Sequence, residues 1–122
     1  MKQRSLTYDD IVKIGLALPG VAESTSYGTP ALKVKGKSMV RLKEDGTSLV
    51  IGVSFLVRDH LMQTAPSVFY ITDHYRGYPA VLVRIAKVDR ALITQLLEDA
   101  WRASAPRTLV KTFDSNQSQR PE

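Results

Sequence analysis

The 122-residue sequence predicts an α+β fold: an antiparallel β-sheet of about five strands, covered on one face by N- and C-terminal helices. Three observations predict it. Apolar residues recur at helical spacing near both ends of the chain. Two-residue alternation fills the middle, and turn signals separate the alternating stretches.

The first helix begins at Thr7, with Asp10 three residues on as an N-cap pair and Asp9 and Asp10 at the positive helix end. Ile11, Ile14 and Leu18 form its apolar face, flanked by Val12 and Leu16, and Pro19-Gly20 stops it. In "TPALKV", Leu32 and Val34 alternate with Lys33 and Lys35; in "SMVRLK", Val40 and Leu42 alternate with Met39, Arg41 and Lys43. A loop of about three residues over Lys35-Gly36-Lys37 puts Leu32 opposite Val40, whereas a two-residue loop throws the apolar sets out of phase. "EDGT" turns the chain into a third strand with Leu49, Ile51 and Val53 inward. Ser54 caps a short helix that Pro66 ends, "SVFYI" and "PAVLVRIAKV" supply two more strands, and "TDHYRGY" joins them. Asp89 caps the strongest helix, with Leu92, Leu96, Ala100 and Ala103 on one face, widened by Ile93 and Leu97. Pro106 closes it. Residues 1–113 therefore read as one domain, and the polar stretch 114–122 as a disordered tail with nothing to bury.

A single core is what this length supports. Without cysteine, disulfides, thiolate zinc sites and cysteine nucleophiles are excluded. No apolar run approaches the roughly 18 residues of a membrane span. The N-terminus carries basic residues without an apolar segment behind them, so a cytoplasmic protein without a membrane partner is expected.

Charge is the informative quantity. The chain is +5, and Lys33, Lys35, Lys37, Arg41 and Lys43 give residues 30–43 a charge of +5 with no acidic residue. Everything else cancels. Localised charge of this kind raises the potential felt by an anionic partner. The competing reading is a solvated sheet, whose lysines discourage edge-to-edge association. Arg84 and Lys87 fall on or beside the same sheet. A surface rich in lysine suits phosphate contact better than base readout, which uses Arg, Asn or Gln. Tyr75, Arg76 and Tyr78 form an aromatic and basic loop that can stack on bases, or pack at a sheet edge with hydroxyls in water. Trp101 reads as a core or boundary anchor.

The stretches "LPGV", "YGTPALKVKGK", "APSVFY", "HYRGYPAVLVRI" and "AWRASAPRTL" together resemble the MmcQ/YjbR family of small bacterial proteins. They follow the family's order from the first helix to the end of the last. The resemblance implies a CyaY-like (frataxin-like) fold and a double-wing arrangement that binds DNA. Its "FKVxGK"-like motif falls on Leu32, Lys33, Val34, Gly36 and Lys37, and its closing pattern on Ala100, Trp101, Ala105, Pro106 and Leu109. Leu32 stands where relatives often have Phe, and Pro79-Ala80 near where many carry Trp.

His60 and His74 each follow an aspartate, but no HExxH spacing, third ligand or GxSxG elbow accompanies them. Iron binding on a frataxin-like fold calls for a carboxylate-rich first helix, and here only Asp9 and Asp10 are present, with Lys13 one turn on. "KVKGK" lacks P-loop spacing. The expectation is a non-enzymatic DNA-binding protein without metal or cofactor, contacting phosphates through Lys33, Lys35, Lys37, Arg41, Lys43, Arg84 and Lys87, with low sequence specificity. Tyr75, Arg76 and Tyr78 are accessory candidates. The alternative is a protein-interaction or small-ligand module using the groove beside the long helix or the "DHYRGYP" loop.

Overall fold

The computed structural model describes residues 5–118. Its strands are β1 (Val21–Ser26), β2 (Thr29–Val34), β3 (Lys37–Leu42), β4 (Ser48–Gly52), β5 (Phe69–Tyr70) and β6 (Ala80–Arg84). They form one antiparallel sheet in the order β1-β2-β3-β4-β6-β5. Four helices, α1 (Tyr8–Leu16), α2 (Phe55–Thr64), α3 (Arg90–Ser104) and α4 (Arg107–Ser118), complete the α+β architecture. The sheet has one strand more than the sequence suggests. That strand is β1, whose "VAESTS" has residues 22–25 exposed and so lacks an apolar face to read. Backbone pairing along β2 holds it, from Val21 opposite Val34 to Ser26 opposite Thr29.

Directly opposed residues of an antiparallel pair share a face. Leu32, Val40, Ile51 and Val81 therefore make one inner row across four strands, with Leu49 and Val83 beside it. These pack with Ile11 of α1 and with Ile93, Leu96, Leu97, Ala100 and Trp101 of α3 in a single core. The buried face of α3 is rotated from the expected stripe: Leu92 is half-buried and Ala103 exposed. Burial of Trp101 pulls the helix to that setting. Its indole N–H donates to the Pro19 carbonyl at 2.9 Å and its ring meets Phe113 edge-on at 5.0 Å. Gly15 lets α1 approach the sheet, since a Cβ there would lie 2.4 Å from Leu32 Cδ1.

The β2–β3 hairpin reaches its parity differently from the expected three-residue loop. Its turn has two residues, Lys35 at φ +49° and Gly36 at φ +83°, the signs of a type I′ turn. Val34 faces Lys37 and Lys33 faces Ser38, yet Leu32 faces Val40. Met39 is the extra residue of a β-bulge and is buried in the core rather than alternating outward. Turn and bulge together restore the phase that an odd loop would have given.

The expected caps form. The Thr7 N–H donates to Asp10 Oδ2 (2.8 Å), the Val57 N–H to Ser54 Oγ (3.1 Å) and the Leu92 N–H to Asp89 Oδ2 (3.2 Å). α4 extends through residues 114–118, which the sequence assigned to a tail; residues 119–122 lie outside the described part. Leu109, Val110 and Phe113 pack it on the core, and Arg102 of α3 binds both Asp114 oxygens at 2.8 and 3.2 Å.

Candidate functional site

The sheet face turned away from the helices carries the row Ala31, Arg41, Val50, Leu82 and Tyr70, one residue from each of five strands. Lys33 flanks this row on β2 and Arg84, opposite Ser48, flanks it on β6. A segment containing a short 3₁₀ turn, Asp73–Tyr75, folds over the middle of this face and leaves a cleft of about 630 Å³. Val50, Pro79 and Ala80 line its apolar part; Tyr27, Tyr75, Tyr78 and His74 supply aromatic walls; Arg41 and Glu44 sit at one end.

Two arginines build the cleft. Arg58 of α2 is buried, and its Nη1 donates to the carbonyls of Tyr75, Arg76 and Tyr78 at 3.2, 3.2 and 3.0 Å. Three loop carbonyls, which strand pairing cannot satisfy, thus find one cationic donor. The Arg41 side chain is 11% exposed and bonds Glu44 Oε1 at 3.0 Å, Thr29 Oγ1 at 3.3 Å and the Tyr75 hydroxyl at 2.6 Å. Its guanidinium also lies 5.5 Å from the centre of the Tyr27 ring. The His74 ring meets Tyr75 edge-on at 4.9 Å and lies 5.8 Å from Tyr78.

Tyr27 occupies the β1–β2 turn at φ +54°, followed by Gly28 at φ +80°. A bulky residue seldom adopts this backbone region, and the side chain placed there is 88% exposed. Tyr78 is 57% exposed. The cleft therefore shows aromatic surface to solvent.

The seven predicted phosphate-contacting residues do not make one continuous platform. Lys33, Arg41 and Arg84 share the helix-free face. Lys43, at the end of β3, lies 3.9 Å from Asp45, and Lys87 is exposed in the turn before α3. At the opposite end of β3, Lys37 faces Val34, and Cε of Lys35 leans toward Gly20 on the helical side. Two hairpin cations thus have carboxylates beside them, and the tip pair diverges from Lys33. Arg84 donates to the Ser67 carbonyl at 3.2 Å and lies 4.1 Å over the Tyr70 ring. Of the accessory candidates, Tyr75 and Tyr78 line the cleft, while Arg76 pairs with Asp73 at 2.6 Å.

Bonding to the Glu44 backbone, followed by the Arg41 hydrogen bond, holds the Glu44 carboxyl below its ordinary range. Bonds from the Thr47 backbone do the same for Asp45, which closes the turn. Both carboxylates are thereby kept charged beside Arg41 and Lys43. His60 is exposed on α2, away from the cleft-lining residues. Among the described residues no group of three or more His, Cys, Asp or Glu is placed to hold a metal, and no helix is long and apolar enough to cross a membrane.

Sequence reasoning missed Tyr27, Glu44 and Arg58. Tyr-Gly after a polar run signals a tight turn. Arg58 precedes Leu61 and Met62 at helical spacing, which places it on the buried side of α2.

The family model YjbR matches residues 16–103. Uncharacterized protein Rv2570 of Mycobacterium tuberculosis and Uncharacterized protein Mb2600 of Mycobacterium bovis are each 30% identical over 125 residues, covering 90% of this chain and 97% of theirs. The crystal structure of Deinococcus radiodurans protein DR2400, with family-model domain DUF419, has a similar fold. It superposes with a TM-score of 0.68 at 21% identity, over 83% of this chain and 80% of that one.

Proposed function

The chain belongs to the YjbR family, and we propose that this member is a non-catalytic protein that binds DNA through the helix-free face of its sheet. The observation that carries this reading is the grouping of Lys33, Arg41 and Arg84 on that face, around an exposed aromatic cleft. Lysine and arginine on an open sheet contact phosphates without demanding a base sequence. Arg41 is committed to Glu44 and Tyr75, so it orients the cleft while Lys33 and Arg84 meet the backbone. Lys43 and Lys87 add charge at the Arg84 end, while Lys35 and Lys37 at the hairpin tip turn away from this face.

Fluorescence anisotropy of labelled DNA against salt tests the proposal. With Lys33 and Arg84 neutralising about two phosphates, log affinity falls against log salt with a slope of about −1.5 to −2. Lys33→Glu and Arg84→Glu each weaken binding for every sequence tried and flatten the slope by about 1. Absence of binding at low salt, or affinity indifferent to both changes, ends the proposal.

A second reading has its own observation. A groove of about 390 Å³ between the sheet, α2 and α3 includes Met39, Val57, Leu96 and Ala100, beside exposed Phe55 and Leu56. Such a surface suits a protein partner. Loss of a co-purifying protein on Leu56→Asp, with DNA affinity unaltered, would support it.

A further inference from the structure

We infer that the tyrosine cleft receives one unpaired nucleobase, so that the protein favours single-stranded over duplex nucleic acid. The inference rests on the reading of the open face as a nucleic-acid surface and adds which part of the ligand the cleft takes.

Tyr27 holds a left-handed backbone conformation while its ring stays in solvent, packed only loosely over the Arg41 guanidinium. The positive φ belongs to the two-residue β1–β2 turn, as at Lys35-Gly36, but a turn does not call for tyrosine, and the exposed ring it carries lines the cleft as a stacking surface. Tyr78 offers a second exposed ring, steadied by His74 on one side and by the Arg58 bond to its carbonyl. Between them the cleft is apolar at Val50 and Ala80.

The polar end selects the kind of ring. Arg41 Nη1 is held by Glu44 and Thr29 and Nη2 gives one N–H to the Tyr75 hydroxyl, which leaves the second Nη2 N–H as a donor beside the exposed Glu44 carboxylate. A nucleobase edge carries acceptors and donors side by side, which this pair can meet together. The two charges oppose each other, so this end is poorly suited to be a phosphate anchor; the ring is the recognised group. About 630 Å³ falls within the range of small-molecule sites and has room for a base with its sugar. A paired base has both faces stacked and must be extruded at a cost, whereas an unpaired one enters freely. Lys33 and Arg84 lie on the same face for the flanking phosphates.

A free nucleoside and a base within a strand offer the same chemistry. The test compares a short labelled oligothymidylate, an abasic strand of equal length, a duplex, and free thymidine, using anisotropy for strands and tyrosine ring NMR shifts for the nucleoside. The oligothymidylate should bind about tenfold tighter than the abasic strand, and Tyr27→Ala or Tyr78→Ala should erase that advantage. Both rings are exposed, so circular dichroism should show the fold unaltered. Equal affinity for abasic and thymidine strands, with Lys33→Glu weakening both, overturns the base site and leaves the phosphate surface standing. Thymidine shifting the tyrosine signals while no strand binds keeps the base site and ends the reading of the open face. No response to strand or nucleoside overturns both.

Discussion

Arg41 and Arg58 flank the same cleft, and both are structural before they are electrostatic. Arg58 donates to three carbonyls of one loop; without it the Tyr75 and Tyr78 carbonyls keep the backbone N–H donors of Tyr78 and Ala80, while the Arg76 carbonyl loses its charged donor. Charge-assisted bonds of this kind contribute about 1.5–3 kcal/mol, so Arg58→Met should lower stability by about 3 kcal/mol in urea unfolding. Arg58→Lys should recover only part, because one ammonium lacks the planar fork. Gly15 supplies a second residue-scale outcome. Alanine there improves helix propensity by about 1 kcal/mol but collides with Leu32, which is fully buried. Overpacking costs about 1–3 kcal/mol, so Gly15→Ala should lower the thermal midpoint rather than raise it. At this scale the capping residues Thr7, Ser54 and Asp89 were legible, because a cap needs only local chemistry. Arg58 was not, since its partners lie 17 to 20 residues away.

Among the elements, β1 and α4 show where pattern reading runs out. β1 is an edge strand stabilised by pairing rather than burial, so its composition carries no alternation to detect. α4 is short of apolar residues, and Leu109, Val110 and Phe113 seat it only because Trp101 and Arg102 are there to receive it. The hairpin register follows from parity, and the cause of that parity, a bulge at Met39, leaves the same trace in sequence as an odd loop. Arg102 holds the Asp114 carboxyl below its ordinary range. A lowered folded pKa means the stabilisation is complete above the unfolded value of about 3.9 and is lost as pH falls through the lower folded value. α4 should therefore loosen in acid. Trp101 is the only tryptophan and packs against Phe113 of that helix. Its emission should shift to the red on acidification, and in Arg102→Ala the shift should already be present at neutral pH. Unchanged emission in that variant would mean apolar packing alone seats the helix.

Over the whole molecule, the charge concentrated in residues 30–43 is divided by the fold. Lys33 and Arg41 face away from the helices, Lys35 leans toward them, and Asp45 and Glu44 answer Lys43 and Arg41. Sequence counts charge but not direction, which is why the family and fold were legible while the platform was not. The fold instead arranges a smaller cationic set around an aromatic cleft. An amide-resolved NMR titration of the protein with single-stranded DNA at low salt tests this most directly. Shifts should cluster on Tyr27, Lys33, Arg41, Tyr75, Tyr78 and Arg84 and fade with added salt, whereas shifts absent there, or confined to Val57, Leu96 and Ala103 around the groove beside α3, would contradict it.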